Sequence, residues 1–326
     1  MSKLVTIFGG SGFVGRYIAR RLAREGWRIR IAVRRPNEAL FLKPYGNVGQ
    51  VEPVFCNIRD DASVRAVLQG ADAVVNCVGI LQARGANSFA AVQVEGAGRI
   101  ARLAAEAGVT RLVHLSAIGA DASSASAYAR TKAEGEAAVL AAFPQAMILR
   151  PSIIFGPEDD FFNRFAEMAR RSRFLPIVHG DTKFQPVYVD DVAQAAVMGV
   201  NGLATGTFEL GGPSTETFRE LMSQMLTVIM RKRRLVDLPV GLAGAMAAVL
   251  DGLQKISGGL ITNTLLTRDQ LRLLARDNIV APGARGFTEL GIDSLAFEAV
   301  IPEYLWRFRP NGQYARMRPT EKNLKA

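Results

Sequence analysis

The sequence predicts an α/β chain: a doubly wound parallel sheet with a smaller mixed C-terminal lobe. Three observations predict it. Short apolar runs alternate with amphipathic stretches through the first half, and glycines 9, 12 and 15 follow the first run. Past residue 150 the alternation becomes irregular. Parallel neighbours need a crossover, normally helical, so alternation of this kind implies βαβ units.

Taken in order, Leu4–Phe8 (LVTIF) is a continuous apolar run, as a strand buried on both faces requires. Over 12–25, Phe13, Val14, Ile18 and Leu22 recur at helical spacing, with Arg16, Arg20, Arg21 and Arg24 on other faces. Strands are expected at 28–33, 51–56, 73–78 and 111–115, with helices at 62–68 and 90–107. Residues 153–160 read as a Gly/Pro-containing loop, 161–172 as a helix, and 184–189 and 207–210 as short strands. A helix at 218–230 runs into Arg231-Lys232-Arg233-Arg234. Helices at 240–256 and 267–276 and a tail rich in Arg and Pro complete the chain, and Met246, Leu250 and Leu253 would form one helical stripe. The expected divisions are a nucleotide-binding core at 1–155, an interleaved smaller lobe at 156–302, and a basic extended tail at 303–326 that docks on partners.

Composition narrows the classes. With 49% hydrophobic and 21% charged residues in 326, disorder, collagen-like repeats and disulfide scaffolds are excluded for most of the chain. Cys56 and Cys77 sit in apolar runs and read as buried reduced thiols; no metal site is expected. Met1 leads directly into the first apolar run, without a signal or transit pattern. The longest apolar stretch, 238–250, is short of the ~18 residues a spanning helix needs, so a soluble or peripheral chain is expected. The net charge of +10 asks for an acidic partner. Nucleic acid is the least supported, for want of zinc-finger spacing or basic runs interleaved with aromatics. His114 and His179 stand alone and read as packing or surface residues.

Gly9, Gly12 and Gly15 form G-x-x-G-x-x-G between strand and helix. The first permits a tight turn, the second close approach to a pyrophosphate, and the third close helix packing, with Ser11 and Phe13 in the same turn. Arg34 and Arg35 end the second strand where an NAD-preferring site places a carboxylate, so NADP(H) is the expected cofactor. Asn57 and Ile58 would meet the adenine, and Cys77, Val78 and Gly79 would line the same crevice. Tyr128 and Lys132 give Y-x-x-x-K on one helix face. The ammonium would lower the phenol pKa and could bond the nicotinamide ribose.

These motifs resemble the short-chain dehydrogenase/reductase superfamily, of the extended or atypical type, which implies a Rossmann sheet. Arg150-Pro151-Ser152-Ile153-Ile154-Phe155-Gly156-Pro157 and Pro186-Val187-Tyr188-Val189-Asp190-Asp191-Val192-Ala193 are similar to two further segments of that superfamily, and the first adds Pro151 to the cofactor site. Leu265-Leu266-Thr267-Arg268-Asp269-Gln270, Asp277-Asn278-Ile279-Val280, Phe287-Thr288-Glu289-Leu290-Gly291-Ile292 and Tyr304-Leu305-Trp306-Arg307-Phe308-Arg309-Pro310 resemble one branch, the nucleotide-binding accessory subunits of respiratory complex I. That resemblance implies a tightly held NADPH, the other complex I subunits as partners, and an anionic membrane surface nearby. It implies a place on the cytoplasmic face of a bacterial inner membrane, or the matrix side in a mitochondrion. One departure stands out. Active relatives carry a second hydroxyl residue where this chain has Ala117, after Ser116, so Ser116, Tyr128 and Lys132 read as a catalytic set that is largely vestigial. The alternative is a free-standing NADPH-dependent reductase or epimerase in which Ser116 orients the substrate.

Overall fold

The computed structural model describes residues 2–83, 85–256 and 267–316. Seven parallel strands form the main sheet: β1 (Leu4–Phe8), β2 (Arg28–Val33), β3 (Val51–Phe55), β4 (Ala73–Asn76), β5 (Arg111–Leu115), β6 (Met147–Pro151) and β7 (Gly206–Leu210). Their order is β7-β6-β5-β4-β1-β2-β3. The strand order therefore reverses between β1 and β4, which is where a doubly wound sheet opens its crevice.

Helices cover both faces: α1 (Phe13–Arg24) and α6 (Val189–Val200) on one, α2 (Asp61–Leu68), α3 (Gly96–Glu106) and α4 (Ala127–Ala142) on the other, while α5 (Phe161–Arg171) belongs to the smaller lobe. Further along come α7 (Phe218–Val228), α8 (Val240–Ile256), α9 (Arg268–Leu274) and α10 (Phe297–Leu305). One sheet face packs Ile7, Ile29 and Ile31 against Ile18 and Leu22 of α1 and Val192 and Ala196 of α6. The other packs Phe8, Val74 and Ile148 against α2, α3 and α4. The smaller lobe has its own aromatic core, with Phe155, Phe162, Phe218 and Phe297 fully buried.

Several expectations are corrected. The expectations omit helix α6, whose half-exposed stripe is only one residue wide, Asp190, Gln194 and Met198, while small residues such as Ala193, Ala195, Ala196 and Gly199 fill much of the buried face, so its period is less marked than that of α1. Strand β6 was missing because Arg150 and Pro151 disguise its end. The expected strand at 184–189 divides into Lys183–Phe184 and Val187–Tyr188, the latter running directly into α6. The expected helix at 90–107 begins as a wider π-type turn, Ala90–Glu95, before α3. Arg234 opens a strand, Arg234–Asp237, that pairs with Phe174–Ile177. No helix among the described residues is long and apolar enough to cross a membrane. The side chains of Leu250 and Leu253, the segment Leu265-Leu266 and the tail from 317 lie outside the described residues.

Candidate functional site

The ends of β1, β2, β3, β4 and β5 converge on one edge of the sheet. At the first, Gly9 takes φ +73°, a left-handed conformation that favours glycine. A Cβ there would come 3.2 Å from Val78 and 3.3 Å from the Cys77 backbone, so the glycine turn lies against the end of β4 as one crevice requires. A Cβ on Gly15 would lie 2.7 Å from Gly10 Cα and Gly9 O. Gly15 therefore packs on the turn itself, rather than on the sheet. Helix α1 starts with Gly12 as an N-cap lacking a side-chain acceptor, and no acidic residue lies in the first turn, which includes Phe13. The i→i−4 ladder begins only at Arg16 N–H, leaving an uncapped N-terminus suited to an anion. Arg16, which the motif reading missed, donates to the carbonyls of Ser11 (3.2 Å) and Gly12 (3.3 Å) and holds the turn from behind.

Arg34 and Arg35 are both exposed just beyond β2 but are not equivalent. Arg35 pairs with Glu38 at 2.9 Å, whereas Arg34 has no ion pair among the described residues. Asn57 accepts from Arg59 N at 3.2 Å, and Ile58 packs over Gly96. Gly79 leaves an open approach, since a Cβ there would meet only Lys132 Nζ, at 3.5 Å. Pro151 is buried at the end of β6, where its carbonyl accepts from Ile118 N.

The Tyr128–Lys132 pair differs electrostatically from expectation. Lys132 is buried and its Nζ donates to Leu115 O at 3.1 Å, lying 5.9 Å from the Tyr128 ring centre. Burial dominates both groups. It pushes the phenol up to about 12 and the ammonium down to about 8. The expected lowering of the Tyr128 pKa is thus overturned, because desolvation of the phenolate outweighs attraction to an ammonium directed at a carbonyl. His114, on β5, is held neutral by burial and by Lys132, at about 3, and lies 3.1 Å from Asn76 Nδ2. Asn76 Oδ1 is already taken by Val78 N, so its amide donates to Nδ1 and the imidazole proton sits on Nε2. Burial raises Cys77 to about 12, leaving it an inert thiol.

The residues fit a dinucleotide. An uncapped helix N-terminus, a glycine turn and the open approach at Gly79 share one edge, and Ser116 Oγ is buried there with no partner among the described residues. Two structural contributors were not legible in sequence. Arg150 ties Glu136 of α4 to β6 and β7, and Asp269 of α9 caps α4 from 141 residues away.

Comparison with known proteins extends this picture. The pattern of the NAD dependent epimerase/dehydratase family matches residues 5–211. NADH dehydrogenase (ubiquinone) 1 alpha subcomplex subunit 9, mitochondrial, of Arabidopsis thaliana is 36% identical over 316 residues, 95% of this chain and 79% of the relative. Ceramide reductase of Caulobacter vibrioides is 33% identical over 238 residues, 72% of this chain and 74% of that one. Among solved structures, the Bordetella bronchiseptica enzyme WbmH in complex with NAD+ matches with a TM-score of 0.66 at 15% identity. That match covers 96% of this chain and 100% of WbmH, a likeness of fold.

Proposed function

The chain belongs to the NAD dependent epimerase/dehydratase family, of the extended short-chain dehydrogenase/reductase type, and on that premise we propose that it is an NADP(H)-binding accessory subunit of respiratory complex I. The observation that carries this reading is the extent of the relationship: likeness to a complex I subunit runs through 95% of the chain, against 72% for the reductase. Ala117 in place of a hydroxyl residue agrees with a subunit that holds its nucleotide without routine turnover. The core at 1–155 would bind the nucleotide and the lobe at 156–302 would dock; the expected extended tail does not begin at 303, because Tyr304, Leu305 and Phe308 are buried in the smaller lobe's aromatic core, Tyr304 and Leu305 on α10 and Phe308 just beyond it. Two features support docking on other subunits beside an anionic membrane surface, cytoplasmic in a bacterium. They are the Arg231–Lys232–Arg233–Arg234 cluster and the outer face of α8, where Leu242, Met246 and Val249 are at least half exposed.

In this reading the α1 N-terminus and the glycine turn hold the pyrophosphate, and Lys132 holds ribose oxygens. Bound nucleotide stabilises the fold by mass action. Were a carbonyl substrate present, the nucleotide would supply a hydride and Tyr128 the proton. That second reading is favoured by the intact Tyr128–Lys132 pair and by the buried Ser116 hydroxyl, which has no partner among the described residues.

The decisive experiment is a tagged pull-down from detergent-solubilised membranes. Recovery with quinone-reductase subunits is expected, and recovery of the protein alone overturns the proposal. Steady oxidation of NADPH by added carbonyl compounds would instead establish the reductase.

Cofactor choice rests on Arg34. Arg34→Ala is expected to weaken NADPH about 10-fold and leave NADH nearly unchanged, one charge-assisted hydrogen bond being worth about 1.5–3 kcal/mol. Direct titration of both nucleotides checks it, and release of only NAD(H) from denatured protein would refute the preference.

Binding should also depend on pH. In the nucleotide-free chain Lys132 titrates at about 8 against an ordinary 10.5. Between those values the unfolded chain binds more protons, so this group's contribution to stability rises with pH across that window. Phosphates and ribose oxygens favour the ammonium, so NADPH affinity should fall as pH rises through about 8, and Lys132→Met should flatten that profile.

A further inference from the structure

Helix α4, which carries Tyr128 and Lys132, begins with a cap from its own sequence, Ser126 Oγ accepting from Ala129 N at 3.3 Å. The two N–H groups before that end on a residue from the far side of the chain. Asp269 Oδ1 accepts from Ala127 N at 2.8 Å, and its Oδ2 accepts from Tyr128 N at 3.1 Å and Ser126 Oγ at 2.9 Å. Asp269 and Arg272 lie three apart on α9 and so share one side of it. Arg272 donates to Ala125 O at 3.0 Å, and Arg276 lies 3.6 Å from Asp121. The whole run from Asp121 to Tyr128 is therefore gripped by one surface.

The same segment is also fastened to the smaller lobe. Thr182 Oγ1 donates to Leu274 O at 2.6 Å, and Lys183 N to Asp277 at 2.9 Å. Asn278 N donates to Lys183 O at 2.8 Å, and Ser152 Oγ donates to the Asn278 carbonyl at 2.8 Å. Residues 267–278 thus form a strap of the smaller lobe that joins the first turn of α4 to residues 182–183 and to Ser152 beyond β6. A carboxylate accepting two backbone N–H groups at a helix N-terminus is both charge-assisted and favoured by the helix dipole.

We propose that Asp269 is a positioning residue for the nucleotide site, and that docking of the strap on α4 and occupancy by nucleotide strengthen one another. This rests on the nucleotide reading above and goes beyond it. The coupling has a short physical path. The Tyr128 amide is held by Asp269, Lys132 lies one turn further along α4, and Lys132 Nζ holds Leu115 O beside Ser116. A nucleotide that engages Tyr128 and Lys132 selects the α4 conformation that the strap holds. By reciprocity, whatever stabilises the strap raises nucleotide affinity. A partner that docks on the smaller lobe would therefore retain the nucleotide more tightly than the isolated chain does.

The test uses the full chain and titrates NADPH by its fluorescence. Asp269→Ala is expected to raise the Kd about 5-fold or more. Asp269→Asn, which keeps one oxygen acceptor, should fall between that variant and the wild type. Asn201→Ala serves as the control, since it removes bonds to Trp27 and Glu25 at the opposite edge of the sheet and should lower stability without moving the Kd. NADPH should also slow hydrogen exchange at the Ala127 and Tyr128 amides in the wild type but not in Asp269→Ala, a change that a purely structural cap would not produce. If the wild type binds NADPH and Asp269→Ala binds it equally well, this proposal alone is overturned. A wild type that binds neither NADPH nor NADH overturns the nucleotide reading and this one with it.

Discussion

Arg150→Ala is expected to destabilise the protein by about 3–5 kcal/mol, the cost of leaving a buried charge without its partner. The guanidinium bonds Glu136 through Nε at 2.9 and 3.2 Å and through Nη2 at 2.6 Å, and reaches Glu209 through Nη1 at 3.4 Å. The Glu136 side chain is 7% exposed, so alanine would strand its carboxylate where water does not readily replace the lost cation, while Glu209, 12% exposed, would keep only Ala281 N as a donor. Glu136 lies on α4, one turn beyond Lys132, so the loss should also loosen the nucleotide site. Denaturant unfolding measures the effect. A change below about 1 kcal/mol would show that the network is solvated and the argument wrong. Arg150→Leu combined with Glu136→Leu should recover much of the loss, because replacing both partners by apolar groups removes the stranded charge.

The second large effect is on binding. Gly15→Val should lower NADPH affinity about 10- to 100-fold, and the purified protein should retain no nucleotide. Elsewhere in a helix interior, replacing glycine stabilises by roughly 0.5–1 kcal/mol. At Gly15 the sign reverses, because the new Cβ would lie 2.7 Å from backbone atoms of Gly9 and Gly10 that cannot rotate away. Overpacking of this kind costs about 1–3 kcal/mol, and relieving it moves the turn proposed to meet the pyrophosphate. Gly241→Ala in α8, where nothing lies within 4 Å of the added Cβ, provides the contrast and should be neutral or stabilising. Wild-type affinity in Gly15→Val would disprove the role of the turn.

Legibility followed the distance over which each feature is encoded. Gly9, Gly12 and Gly15 span seven positions between a buried strand and an amphipathic helix, and the structure lays Gly9 against Cys77 and Val78. Tyr128 and Lys132 were visible for the same reason, being one helical turn apart. Helix α6 was not, because its solvent-facing stripe is a single row, Asp190, Gln194 and Met198, and small residues occupy much of its buried face. The state of the Tyr128–Lys132 pair was not visible either. Sequence shows that the two are near, but the pKa of each depends on burial and on where the ammonium points, and Leu115 O takes it.

The sequence by itself determined the α/β class, the parallel first half and the glycine turn at the end of its first strand, since those depend on local period, glycine spacing and strand ends. Only the tertiary structure decided what holds that crevice in shape. Arg150 meets Glu136 and Glu209, and Asp269 meets the first turn of α4, across 14, 59 and 141 residues of chain respectively. Contacts at such separations leave no period in the sequence. They form because burial makes an unpaired charge or helix N–H costly, and the folded chain brings these partners within reach.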